Sequence, residues 1–94
     1  MQQFSFETTS IRDLMIIHPF YMEDERGFFL KSFEKEIFWQ NGIKTEIFED
    51  FESYSIKGVL RGLHFQTEKP QAKLVGALTG TIYDVAVDLR KTSK

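Results

Sequence analysis

The stretch Gly58-Val59-Leu60-Arg61-Gly62-Leu63-His64-Phe65-Gln66 sets a guanidinium, an imidazole and a carboxamide into otherwise apolar sequence. Its apolar residues predict a β-strand over Val59 to Phe65, and Gly58 and Gly62 stand where packing side chains belong. Glycine inside a strand costs stability and marks a bulge, or a close approach by another backbone or a ligand. Two readings are open at this point. Either the polar groups line a site, or the segment is an edge strand whose Arg61 and His64 face water.

Working outward, Lys73 to Leu78 and Thr81 to Leu89 predict two further strands, joined through Thr79-Gly80 as a tight hairpin. Glu68 to Gln71, with Pro70, reads as a loop. Thr45 to Ser55 alternates with Ile47, Phe51 and Ser53 on one face and Phe48, Asp50 and Tyr54 on the other, a strand with neither face clean. Ser32 to Gln40 is the one helix, with Ser32 as cap, Glu34 and Glu36 in the first turn, and Phe33, Ile37 and Phe38 as the apolar stripe. Asn41-Gly42 stops it. Leu14 to His18 predicts a short strand ended by Pro19. Asp24-Glu25-Arg26-Gly27 predicts a turn, and Phe28 to Leu30 the start of the strand that follows.

Strands at close spacing with one short helix predict an all-β antiparallel sandwich or barrel. Six strands fall short of a comfortable closed barrel, and the sequence ends soon after a strong strand, so the expectation is an incomplete one.

Composition narrows the class. Ninety-four residues allow one small domain, which buries only about 60–65% of its unfolded surface. Ten phenylalanines against two prolines and six glycines favour an ordered aromatic core over disorder. The chain has no cysteine, which removes disulfides and thiolate metal sites and fits a reducing compartment. A net charge of −2 with mixed signs offers no basic field for nucleic acid or an anionic membrane. No apolar run reaches the roughly 20 residues of a membrane span, and the first residues lack the basic start and apolar core of a signal peptide. The default expectation is a cytoplasmic protein.

The titratable residues suggest a reaction. A histidine titrates near neutrality, at about 6.5, and serves as a general base. A lysine or arginine beside it stabilises an oxyanion as charge develops. His64 with Arg61 and Lys73 therefore supplies the parts needed to remove a proton next to a carbonyl. Arg61 and His64 are three apart, on opposite faces of an ideal strand, and a bulge at Gly62 would bring them together. Asp84 shares one strand face with Ala86 and Asp88. A buried Asp84 is a site candidate, while Asp88 reads as solvated. No metal site is expected, since His18 is a lone residue before a proline and no thiolate exists. Trp39 and the phenylalanines read as core.

Taken together, Asp24-Glu25-Arg26-Gly27-Phe28-Phe29, Gly58 to Gln66, Lys73-Leu74-Val75 and Asp84-Val85-Ala86-Val87-Asp88-Leu89-Arg90 resemble the dTDP-4-dehydrorhamnose 3,5-epimerase family in content, order and spacing. The resemblance implies a cupin-type jelly roll whose lumen holds the site, with residues 1–94 the N-terminal portion of that domain. It also implies a cofactor-free enzyme acting on a nucleotide sugar, dTDP-linked, and a homodimer that shares N-terminal strands. By position, His64 would remove protons at C3 and C5 of a 4-keto sugar and Lys73 would stabilise the enolate oxygen. Arg26 and Arg61 would hold the diphosphate, Phe28 would line the nucleotide end, and Gln66 and Asp84 would complete the substrate contacts.

The chain departs from the family pattern at Lys31, usually Glu, at Glu49, usually Gln, and at Phe51, usually Asn, positions that contribute to nucleotide recognition. Family domains also run on, to about 150–200 residues. The proton-donating tyrosine, the aspartate that orients the base and the closing strands are expected there, and Tyr83 does not match that tyrosine. Two alternatives stand beside catalysis: an inactive sugar-nucleotide-binding module, and a strand-exchanging assembly unit with open edges.

Overall fold

The structure, a computed structural model, describes residues 1–67 and 71–90. It divides into two units, Met1–Lys44 with Tyr83–Lys94, and Thr45–Ile82. The first carries the regular structure: β1 (Ser5–Thr8), β2 (Met15–His18), β3 (Phe20–Asp24), β4 (Gly27–Lys31) and α1 (Lys35–Gln40). The ordered elements are thus mostly strands with one short helix. Among the described residues no helix is long and apolar enough to cross a membrane.

β1 and β2 pair antiparallel, with Phe6 opposite Ile17 and Thr8 opposite Met15. That register collects Phe6, Met15 and Ile17, all part-buried, on one face and leaves Ser5, Glu7, Ile16 and His18 on the other. On the outer face the His18 Nε2 lies 3.4 Å from a Glu7 carboxylate oxygen, which agrees with a structural role for His18. Thr9 organises the turn. Its hydroxyl accepts from the Ile11 N–H at 3.2 Å and lies 3.0 Å and 2.9 Å from the Ile11 and Leu14 carbonyls.

β3 and β4 form a two-residue hairpin in which Asp24 opposes Gly27 and Phe20 opposes Lys31. The expected turn is present and Gly27 takes φ 129°. Met22 and Phe29 share one face, Tyr21 and Leu30 the other. Gln2 adds a bridge to this hairpin through N–H···O bonds with Tyr21 of 2.6 Å and 2.8 Å.

The core of this unit is aromatic. Phe38 on α1 is 1% exposed and receives three rings edge-on: Phe33 at 4.6 Å, Phe6 at 5.1 Å and Phe4 at 5.6 Å between centroids. A helix of six residues is unstable alone, so this packing holds it. Its end is a Schellman motif: Gly42 (φ 88°) donates to the Trp39 carbonyl at 3.1 Å, and Ile43 to that of Phe38 at 2.9 Å.

Several expectations are corrected. The helix begins at Lys35 rather than Ser32, after an extended Glu34 that makes no side-chain cap bond. Glu34 instead accepts from Lys31 Nζ at 2.7 Å, which fixes the chain just before the helix. Trp39 is 43% exposed and is not core. Ser5–Thr8 and Phe20–Asp24 are strands that the pattern did not single out. Conversely, no strand forms over Thr45 to Ser55, Val59 to Phe65, Lys73 to Leu78 or Thr81 to Leu89, and Thr79-Gly80 closes no hairpin among the described residues. The reason is the ladder. Val59 to Phe65 and Lys73 to Leu78 carry apolar groups on both faces, the pattern of strands covered on both sides, and strands of any pattern order only against neighbours. In Thr45–Ile82 the one backbone–backbone hydrogen bond among the described residues is Val59 N–H to the Ile56 carbonyl, 3.3 Å. The expected loop over Glu68 to Gln71 lies, but for Gln71, outside the described residues.

Asp88 is also corrected from solvated to engaged. Its side chain is only 11% exposed because it grips Arg90. Arg90 in turn reaches the β1–β2 turn, donating to Asp13 at 2.9 Å and to the Arg12 carbonyl.

Candidate active site

In the first unit Arg26 and Phe28 lie together at the β3–β4 turn. A shallow concavity of about 360 Å³ is lined by Met22, Asp24, Arg26, Gly27, Phe28 and Phe29. Arg26 occupies the turn because the strands leave only Glu25 and Arg26 to reverse the chain. Asp24 Oδ1 accepts the Arg26 N–H at 2.9 Å, an Asx turn. The same carboxylate takes the guanidinium: Arg26 Nε donates at 3.3 Å and 3.1 Å to its two oxygens, and Nη2 donates to Oδ2. These bonds hold the Asp24 carboxyl below its ordinary range and raise the guanidinium above its own, through the Asp24–Arg26 hydrogen bonds first. Arg26 remains 84% exposed.

Phe28, on β4, stacks on Tyr21 with centroids 5.7 Å apart and planes 25° from parallel. The antiparallel register makes the two residues diagonal neighbours on one face. The result is a stacked pair, part-buried Tyr21 beneath exposed Phe28, on the strands that flank the guanidinium. Such a pair of features suits a ligand with a planar apolar part and an oxyanion: the rings stack, and the guanidinium donates in a fork.

Asp84 belongs to the same unit and is exposed. No ladder forms over Thr81 to Leu89 to cover it.

In the second unit, Arg61, His64, Gln66 and Lys73 are all exposed on irregular backbone. Arg61 Nε donates to the Ser55 hydroxyl at 2.9 Å. Among the described residues no hydrogen bond or ion pair links His64, Gln66 and Lys73 to one another or to Arg61. The two glycines are used conformationally: Gly58 has φ 90° and Gly62 φ 124°, values that a side chain resists. A Cβ built at either meets nothing within 4 Å, so the glycines mark backbone reversal rather than close approach. With no strand there, the expected bulge at Gly62 has no ladder to interrupt.

Sequence reasoning missed two residues here. Tyr21 was recoverable from hairpin register, which places it diagonal to Phe28. Asp24 was recoverable from its Asp-x-Arg spacing, which lets one carboxylate reach both the N–H and the side chain two residues on.

Comparison with known proteins agrees with the motifs. The family model described as dTDP-4-dehydrorhamnose 3,5-epimerase matches residues 8–94, so the chain belongs to that family. A protein of Methanothermobacter thermautotrophicus named dTDP-4-dehydrorhamnose 3,5-epimerase is 53% identical over 93 residues, covering 99% of this chain and 50% of that protein. Proteins of the same name from Shigella flexneri and Salmonella typhimurium are 49% and 47% identical over 87 residues, covering 90% of this chain and 48% of each. The chain spans about half the length of the curated relatives it matches.

Proposed function

We propose that the chain is the N-terminal, base-bearing part of a nucleotide-sugar 3,5-epimerase acting in the cytoplasm on a dTDP-linked 4-keto sugar. The observation that carries this reading is the family match over residues 8–94, a range that includes His64 and Lys73. The C4 ketone acidifies the C–H bonds at C3 and C5. His64 takes one of these protons, and the bonding pair moves into the C=C of an enolate whose negative charge rests on O4. The Lys73 ammonium donates to that oxygen as the charge develops. Return of a proton to the carbon from the opposite face inverts the centre, and the enolate pair re-forms the ketone. The reaction is redox-neutral and its electrons balance within the sugar.

Arg26 and Arg61 neutralise the diphosphate, Phe28 stacks at the nucleotide end, and Gln66 and Asp84 hydrogen-bond the substrate. The jelly roll of the family would bring these groups to one lumen, with the apolar residues of the second unit covered by neighbouring strands. The exposed Met22, Phe28, Phe29 and Leu30 on the β3–β4 hairpin fit a homodimer that shares N-terminal strands. Light scattering tests that assembly, and a monodisperse monomer at micromolar concentration would discard it.

Activity is tested by ¹H NMR of a dTDP-4-keto-6-deoxyhexose in D₂O. The account expects the C3 and C5 proton signals to fade with the protein present. Signals that persist at the rate of the buffer control would refute it.

A further inference from the structure

The sequence contains two Asp-x-Arg pairs, Asp24/Arg26 and Asp88/Arg90, and both fold into one device. In each, the aspartate Oδ1 accepts the arginine N–H, at 2.9 Å and 3.0 Å respectively. In each, Nε reaches both carboxylate oxygens, at 3.3 and 3.1 Å for Arg26 and 3.0 and 3.2 Å for Arg90. In each, Nη2 donates to Oδ2. The carboxylate thus takes the inner edge of the guanidinium and leaves the Nη1 end for a second acceptor.

Arg90 shows what that end does when an acceptor is at hand. Its Nη1 donates to the Asp13 carboxylate at 2.9 Å, while Nη2 adds the Arg12 carbonyl. Arg26 is held by the same atoms, yet its Nη1 meets no acceptor among the described residues and its side chain is 84% exposed. It opens onto the concavity lined by Phe28 and Phe29.

We propose that Asp24 is a positioning residue, which fixes the Arg26 guanidinium by its inner edge so that the Nη1 end meets a diphosphate oxygen. A free arginine loses rotamer freedom when it grips a ligand, and one already held by a carboxylate loses less. Asp24 also carries a cost, since its negative charge sits near the incoming anion. The arrangement favours binding only while the guanidinium stands between them, which makes the two residues strictly interdependent. This inference rests on the reading of Arg26 as a diphosphate ligand given above.

The test uses the ¹⁵N-labelled full chain with Asp24→Asn, Arg26→Gln and the double variant. The D24N carboxamide keeps an oxygen for the Arg26 N–H, so the turn persists and the β3–β4 amide shifts serve as the folding check. Two quantities are read: hydrogen exchange at the Arg26 Nε–H, and the affinity for dTDP by titration. The expected result is faster Nε–H exchange in D24N and dTDP binding weakened about three- to fivefold, with no further weakening when D24N is added to R26Q. Equal Nε–H exchange in wild type and D24N overturns the proposal. So does a D24N effect that persists undiminished in the R26Q background, and so does wild-type binding of dTDP no tighter than R26Q. Failure of deuterium uptake from the sugar, with the clamp and its dTDP effect intact, would discard the epimerase reading and leave this one standing.

Discussion

Replacing Phe38 by alanine removes the one fully buried ring among the described residues, and the loss can be worked from its neighbours. Phe33, Phe6 and Phe4 meet it at 4.6, 5.1 and 5.6 Å, all steeply inclined to its plane. Edge-to-face pairs contribute about 0.5–1.5 kcal/mol each beyond area burial, and truncating a core phenylalanine costs about 3–5 kcal/mol in all. The three neighbours are part-buried and free to lean into the gap, which places Phe38→Ala near the lower end, about 3 kcal/mol. Phe38→Leu keeps most of the apolar volume and loses the ring geometry, so about 1–1.5 kcal/mol is expected. Phe48→Ala is the control: that ring is 88% exposed, and its loss should stay within about 0.5 kcal/mol. Urea unfolding followed by Trp39 fluorescence reads all three, because Trp39 adjoins Phe38 on α1. A Phe38→Ala midpoint indistinguishable from that of Phe48→Ala would refute the claim that this cluster is the core.

Three further outcomes follow from the geometry. The Asp24 carboxyl, held low by its bonds from Arg26, should titrate below its ordinary value of 3.8 when followed by ¹³C NMR. Because its folded pKa is depressed, the turn's contribution is fully present above the unfolded value and fades as pH falls through the folded one, so a midpoint at or above 3.8 would contradict the clamp. Arg90→Ala removes the link from Asp88 to Asp13 and the Arg12 carbonyl, and amide exchange across residues 83–90 should quicken; unchanged exchange there would show that other contacts hold the segment. Gly42→Ala forces a side chain into φ 88° at the Schellman position and should destabilise α1 by about 1–2 kcal/mol, seen as a lower thermal midpoint by circular dichroism, with a neutral result counting against the motif.

Local chemistry was legible in the sequence, and ladders were not. The turn at Asp24 to Gly27 follows from residues that favour reversal, and the helix stop at Asn41-Gly42 from a residue that tolerates positive φ. Both depend on neighbours a few positions away. The strand over Leu14 to His18 agrees to within one residue because a short apolar run halted by Pro19 bounds it. The helix start was misplaced because Ser32 looks like a cap, whereas the Lys31–Glu34 ion pair fixes the chain beyond it. From Val59 to Leu78 the apolar pattern announces strands buried on both faces, and that pattern states a need for partners without supplying them.

The candidate site divides in the same way. Arg61, His64, Gln66, Lys73 and Asp84 were named from the chemistry of neighbouring residues, and Arg26 and Phe28 through the family resemblance. The roles of Asp24 and Tyr21 emerged only with register and hydrogen bonds, since each acts through a neighbour.

The proposed removal by His64 of a proton beside the sugar ketone is tested by deuterium wash-in. An enolate formed by His64 can take deuterium back from the same side, so exchange registers even where inversion does not. The measurement is the wash-in rate at C3 and C5 for wild type, His64→Ala, and His64→Ala with added imidazole. The account predicts exchange by the wild type, its loss in the variant by about 10²–10⁴-fold, and partial recovery with imidazole. Wash-in at equal rates in wild type and His64→Ala would contradict it.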